Sequence, residues 1–484
     1  MTESLTPTNT SADPPVTGAL KTESAGTTHI VAMVVAAAAP IASAVSLIPL
    51  GMLLGNGVGM PGTIVLVTLI LALFSVGFVR ILPFIKNAGA FYAYVTAGLG
   101  RPAGLASAYV LSLVYISLGA SVVAGFSYFA TDLLQHFFHL TVPWALVAIV
   151  GVVVATALAV IGVTMTARVL FAVLACELAA LVVLDISIVA HNGFPAFTWQ
   201  VFSPSHIFSG AVGVAAIYAF SMFLGFEGTA IYAEEARNPQ RTVPRATFIV
   251  VALIGLFYTF TSWAMVAATG PDKLVPTISN NPGAFVFGLS DQYVGTTWTD
   301  VIMVLNCCSL FAGILAFQNA GARYLYALAR DDMMPRAFAK THSKAGTPTI
   351  GLVTIAAIFV ILSVIYSVAK LDPLLEMATS LVGLGTIGLV GMLTVASLSI
   401  AFFFIRRGTV GLATVGAPIT AAILLGLCTF AGIENYDALT GVTTWWINNL
   451  AWILLPVAAL GLVYAFWVRS RHSARYEAIG QTRV

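Results

Sequence analysis

The chain has 484 residues, 59% of them hydrophobic and only 8% charged, whereas a soluble globular chain carries roughly 25% charged residues. With a mean hydropathy of +0.97, this composition excludes a soluble globular protein and leaves a polytopic helical membrane protein. The net charge of +2 carries no information as a total, although its placement does; no nucleic-acid partner is expected.

Residues 1–28 are rich in Thr, Ser and Pro and lack the basic start and short apolar core of a signal peptide, so they read as a disordered tail. Residues 31–79 contain no charge. That run is too long for one core helix and suits two spans joined at GNGVGMPG (55–62). Uncharged runs of about 20 residues predict twelve spans, at 29–54, 61–84, 103–130, 143–163, 168–190, 208–234, 245–269, 298–327, 348–369, 373–405, 411–432 and 447–468. With a cytoplasmic N-terminus, every Lys and Arg except Lys273 and Lys370 falls on the inner side. This asymmetry supports the span count and places both termini in the cytoplasm.

The outer segment 271–295 reads as a short amphipathic element. His136 and His139 lie three apart near an outer edge; with no third ligand apparent nearby, interfacial packing is preferred to a metal pair. The four cysteines lie in apolar runs without metal-ligand spacing and read as packing residues. NAGAFYAY (87–94) and NAGARYLY (319–326) agree at six of eight positions. Both fall at inner helix ends, which favours convergent interfacial composition over an inverted repeat.

Few carboxylates lie within the spans: Glu177, Asp185 and Glu227, with Glu376 near an outer end. Burying one at mid-bilayer costs about 2–4 kcal/mol, so functional use at a cavity or partner is the default expectation; the alternatives are a neutral, hydrogen-bonded carboxyl between helices or an end residue reaching the headgroups. Glu227 lies between Gly225 and Gly228, and glycine costs ~1 kcal/mol inside a helix. This pattern points to a locally unwound span. Span one holds Pro40 and Pro49 among small residues, and proline removes a donor and kinks a helix. Two interrupted spans five apart are the sequence pointer to an inverted-repeat carrier.

The stretch GFEGTAIYAEEARNPQRTVPRAT (225–247) resembles the sixth-span signature of the amino acid–polyamine–organocation permeases. RYLYALARDDMMPRAFAKTHSKAGTPTIGLV (323–353) resembles that family's loop after span eight, and NAGAFYAYVTAGLGRPAG (87–104) its loop after span two. The resemblance implies an all-α polytopic fold of twelve transmembrane helices. Its parts are a first five-helix repeat (29–191), an inverted second repeat (208–405), helices 11 and 12 (411–468), and a cytoplasmic C-terminal tail (469–484). It implies secondary transport of amino acids or amines. Glu227 matches the family's acidic residue of the broken sixth helix, often tied to pH response. Phe220 to Phe226 match the segment that contacts substrate and gates the site, and Glu177 lies near a position where relatives carry a proton-coupling Lys. In span one, many relatives have a Gly-rich turn that binds a carboxylate; here the stretch reads AAPIASA (38–44). Pro40 has no N–H, which makes an amine or another small solute more credible.

The expected function is secondary active transport of a small amino acid or organic amine across the inner (cytoplasmic) membrane by alternating access, with proton-coupled uptake. Exchange without ion coupling and a transporter-like sensor are the alternatives. The substrate is expected to contact Ala39, Pro40, Ile41, Ala42 and Ser43 at the first break, and Phe220, Phe223, Leu224, Gly225 and Phe226 at the second. Glu227 and Glu177 are the proton-coupling candidates. Neither an enzyme activity, a cofactor nor a metal is expected. The partners are substrate, proton and lipid bilayer, in a monomer or homodimer.

Overall fold

The computed structural model describes residues 26–85, 91–162, 167–227, 229, 238–341 and 346–479. The expected tail before residue 26, the NAGA of 87–94, Gly228 and the acidic stretch up to 237 lie outside them. Among the described residues the elements are all helical. The principal ones are α1 (Thr27–Ala37), α2 (Met60–Ile81), α3 (Arg101–Phe138), α4 (Trp144–Val160), α5 (Ala167–Asn192) and α6 (Val212–Ser221). They continue as α7 (Pro239–Thr269), α8 (Thr296–Arg330), α9 (Thr349–Val368), α10 (Thr379–Arg406), α11 (Ala417–Glu434) and α12 (Leu454–Arg471).

Among the described residues, nine segments are long and apolar enough to cross a membrane. The first runs from Ile30 to Phe84 and takes in both the 29–54 and the 61–84 runs. The chain turns inside it at Gly55 (φ −102°, ψ −108°) and Gly57 (φ 56°), in the stretch the glycines mark. The 143–163 and 208–234 runs contain the shorter apolar helices α4 and α6. Hydroxyls within helices are satisfied locally: Ser75 Oγ donates to the Leu71 carbonyl at 2.7 Å and Ser112 Oγ to that of Ala108 at 2.8 Å. Such back-bonding lets a small polar residue sit in an apolar helix without an orphan group. The outer segment forms helices Pro271–Asn280 and Phe285–Tyr293. The first buries Leu274 and Ile278 while Asp272 and Lys273 stay exposed.

Helix α3 is the central pillar, with α8, α10 and α12 lying along it. Small residues permit the close approach: a Cβ on Gly461 of α12 would meet the Ala106 Cα at 2.6 Å. Without a hydrophobic driving force between helices in lipid, such contacts are a main source of association.

Two interruptions shape the interior. α1 ends at Ala37 and helix resumes at Pro40. Proline lacks an N–H and disfavours helical backbone in the residue before it. Ala39 takes the left-handed conformation (φ 46°, ψ 69°), which costs an L-residue roughly 1–2 kcal/mol. The Ala38 carbonyl accepts the Ser43 hydroxyl at 3.0 Å and the Tyr258 hydroxyl at 3.4 Å. Pro49 lies just beyond a π-helical turn, Ser43–Leu47. The second interruption follows Ser221. The amides of Met222, Phe223, Leu224 and Phe226 each bond the carbonyl three residues back, so the backbone tightens until Gly225 (φ 97°) redirects it.

Replacing Ala39 by Gly removes the left-handed strain at some cost in unfolded-chain entropy. A gain of ~0.5–1 kcal/mol is expected, seen as a higher Tm of the purified protein, whereas Ala39→Val lowers it.

Candidate functional site

The two interruptions both contribute to the wall of one cavity of about 100 Å³. Ala39, Ala42, Ser43 and Ser46 come from the first, and Ser221 and Leu224 from the second. Ser121 on α3, Ser309, Gly313 and Phe317 on α8, Ala378 just before α10 and Val382 within it also line the cavity. The volume is well below the ~300–1,000 Å³ of drug-sized pockets, and suits a small solute. None of the lining residues is Asp, Glu, Lys or Arg.

Of the expected contact residues, Ala39, Ala42, Ser43 and Leu224 line the cavity. Pro40, Ile41, Phe220, Phe223, Gly225 and Phe226 do not. Phe220, Phe223 and Phe226 are buried in helix packing, with the Phe226 ring edge-on to Phe74 at 6.0 Å. The aromatic side chain in the wall is Phe317 instead.

Both carboxylates stand behind the wall, each bonded to one interruption. Glu177 Oε2 accepts the Ile41 N–H at 3.4 Å. Ile41 is in the first turn after Pro40, where amides have no helical acceptor, so the carboxylate occupies a donor the break has freed. Glu227 Oε2 accepts the Gly225 N–H at 3.0 Å, and its Oε1 accepts the Tyr115 hydroxyl from α3 at 3.1 Å. The Tyr115 ring stacks on Tyr324 of α8 with centroids 5.1 Å apart. Both carboxyls are about 4% exposed, and neither is in an ion pair among the described residues. Neutral donors alone hold them, a setting in which adding a proton removes no salt bridge.

The wall hydroxyls are mostly committed. Ser121 Oγ donates to the Ala378 carbonyl at 2.8 Å, and Ser221 pairs with Thr386 at 2.7 Å. Ser46 Oγ is buried and has no protein partner among the described residues, which leaves it for a ligand. Neither Ser46 nor Tyr115 stands out in sequence, because other serines and tyrosines occur in several of the spans.

The remaining groups have structural partners. Asp185 accepts the Thr261 hydroxyl at 2.7 Å between α5 and α7. Glu376 takes the Asp372 amide at the start of the segment leading into α10. His136 pairs with Asp300 at 2.8 Å, while His139 closes α3 in a left-handed conformation. Cys307 and Cys428 are partly buried, but Cys176 and Cys308 are exposed, so the packing role expected of the cysteines does not extend to that pair.

The sequence pattern described as "Amino acid permease" matches residues 26–478. The chain is 26% identical over 408 residues to the branched-chain amino acid permease BcaP of Bacillus subtilis (strain 168), covering 80% of each chain. It is 31% identical over 295 residues to the lysine-specific permease LysP of Escherichia coli (strain K12), 56% of each. To the low-affinity putrescine importer PlaP of the same organism it is 26% identical over 176 residues, 36% of each.

Tyr115→Phe removes one of the two donors on Glu227 and leaves Oε1 buried without a partner. A loss of ~1–3 kcal/mol is expected, read as a lower Tm in detergent.

Proposed function

The chain is a multi-pass membrane protein belonging to the amino acid permease family, and from that premise we propose that it is a secondary active transporter for a small amino acid or organic amine. The observation that carries this reading is the pair of interrupted helices that line one small cavity. Interrupted helices with freed backbone at a midplane site are the pattern of alternating-access carriers.

The proposed topology has twelve spans. Ile30–Phe84 counts as two, divided at Gly55 to Gly57, and α4 and α6 complete spans four and six. Spans one to five and six to ten form the two inverted repeats, with the interruption in the first span of each. Both termini are cytoplasmic, in line with the placement of Lys and Arg.

The solute proposed is small, with one ammonium group and an apolar body. The uncharged wall has no partner for a second cationic group. At the first interruption Pro40 has no N–H and that of Ile41 is held by Glu177, which favours the amine end over a carboxylate there. Carbonyl oxygens at the break, the Ser46 hydroxyl and the face of Phe317 are the groups offered to an ammonium.

Proton coupling follows from what the two carboxyls hold. Protonating Glu177 weakens its bond from Ile41 N–H, and protonating Glu227 weakens its bond from Gly225 N–H. Each proton therefore biases one interruption between two arrangements, and a carrier requires such a differential effect. A uniporter or exchanger lacks this bias.

The test is uptake into proteoliposomes. An inward proton gradient drives accumulation of a small amino acid or monoamine, while lysine and putrescine compete poorly. Glu177→Gln is expected to lose gradient-driven accumulation but keep exchange of preloaded solute. Glu227→Gln flattens the pH dependence, and an unchanged profile removes Glu227 as the titrating group. Gly313→Leu, which fills the cavity, lowers binding at least about tenfold, or ~1.4 kcal/mol, by thermal-shift titration.

A further inference from the structure

A second, larger concavity of about 1090 Å³ opens at the end of the molecule that carries the C-terminal helix. Its apolar side is Leu460, Val463 and Trp467 of α12. These are 58%, 69% and 49% exposed, so in a membrane-embedded helix they face lipid. Its polar side is Arg336 and Asp332 from the segment after α8 and Arg475 from helix Ser473–Ala478.

The polar side is built. Asp332 takes a left-handed backbone conformation (φ 56°) and receives Arg336 Nε at 2.9 Å, with Arg475 Nε at 3.8 Å. The Tyr109 hydroxyl bonds the Met333 carbonyl at 2.9 Å and fixes the floor. Tyr464 and Trp467 stack with centroids 5.7 Å apart. Trp467 lies just before Arg469 and Arg471 in the last turn of α12, the level at which aromatic side chains mark the membrane interface. The hydrogen bond from Arg336 holds the Asp332 carboxyl below the usual carboxylate range. Two arginines and one ionised aspartate therefore leave one net positive charge beside a lipid-facing apolar wall.

We propose that this groove binds one anionic diacyl phospholipid, with acyl chain along Leu460, Val463 and Trp467 and its phosphodiester between Arg336 and Arg475. The charge match selects the headgroup: a monoanionic phosphodiester neutralises the excess, whereas a choline lipid brings a further ammonium beside it. The apolar wall selects a lipid over a free phosphate, because a soluble anion leaves that wall unused. The site lies apart from the central cavity and does not depend on which solute is carried.

The test uses the full chain in detergent. Lipid retention is measured by native mass spectrometry, and Tm is followed on addition of phosphatidylglycerol, phosphatidylcholine or glycerol phosphate. Wild-type protein is expected to retain one phosphatidylglycerol with at least ~5-fold preference over phosphatidylcholine, while glycerol phosphate neither stabilises nor displaces it. The double variant R336Q/R475Q equalises the two lipids. Leu460→Trp, which narrows the apolar wall and leaves the charges in place, lowers retention of both. Equal retention of both lipids by the wild type, an undiminished preference in R336Q/R475Q, or displacement by glycerol phosphate would overturn the proposal.

Discussion

In hydrocarbon, a backbone N–H or C=O without a partner costs several kcal/mol, and this constraint organises the interior. Pro40 and Gly225 break two helices at positions where water is scarce. The groups freed there must be met by something nearby. The Ala38 carbonyl is met by Ser43 and Tyr258, the Ile41 amide by Glu177, and the Gly225 amide by Glu227. Three of these partners come from outside the broken turn or through a long side chain. The breaks are thus tethered to α5, α7 and, through Tyr115, α3. The two tethered breaks line the same cavity.

The tethers also account for the cavity wall. Each buried carboxylate is turned towards backbone behind the wall, so small hydroxyl and alkyl groups are left in front. The phenyl groups around the second break are drawn into helix packing, with Phe226 against Phe74. A neutral, compact site is the result, in a chain that belongs to a family of permeases.

Features set by local chemistry were legible in the sequence. Uncharged runs gave the apolar helices, and the glycines at 55–62 marked the turn inside the first of them. Pro40 and the glycine beside Glu227 placed both interruptions, because proline and glycine act on their own backbone. Features set by rotation and distance were not legible. Whether Phe220 meets the cavity depends on the rotation of α6, and whether Phe223 or Phe226 does depends on how the backbone turns after Ser221. The Ile41–Glu177 bond joins residues 136 apart in sequence, and the Tyr115–Glu227 bond residues 112 apart; no periodicity carries such pairings. Phe317 and Ser46 look like any other residue of an apolar helix until the walls are assembled.

The uncharged wall has an electrical consequence. A carrier whose binding site holds a fixed ionised side chain moves part of that charge relative to the membrane when it switches between faces. Here the wall contributes none, so under the proposed mechanism the charge displaced per cycle is the sum of the solute's own charge and any proton held on Glu177 or Glu227. Moving one elementary charge through 100 mV is worth about 2.3 kcal/mol. For a zwitterionic solute the membrane voltage acts only through the proton, whereas a cationic amine is drawn directly. Under that proposed coupling, voltage acts through the proton alone for one cargo and through proton and cargo together for the other.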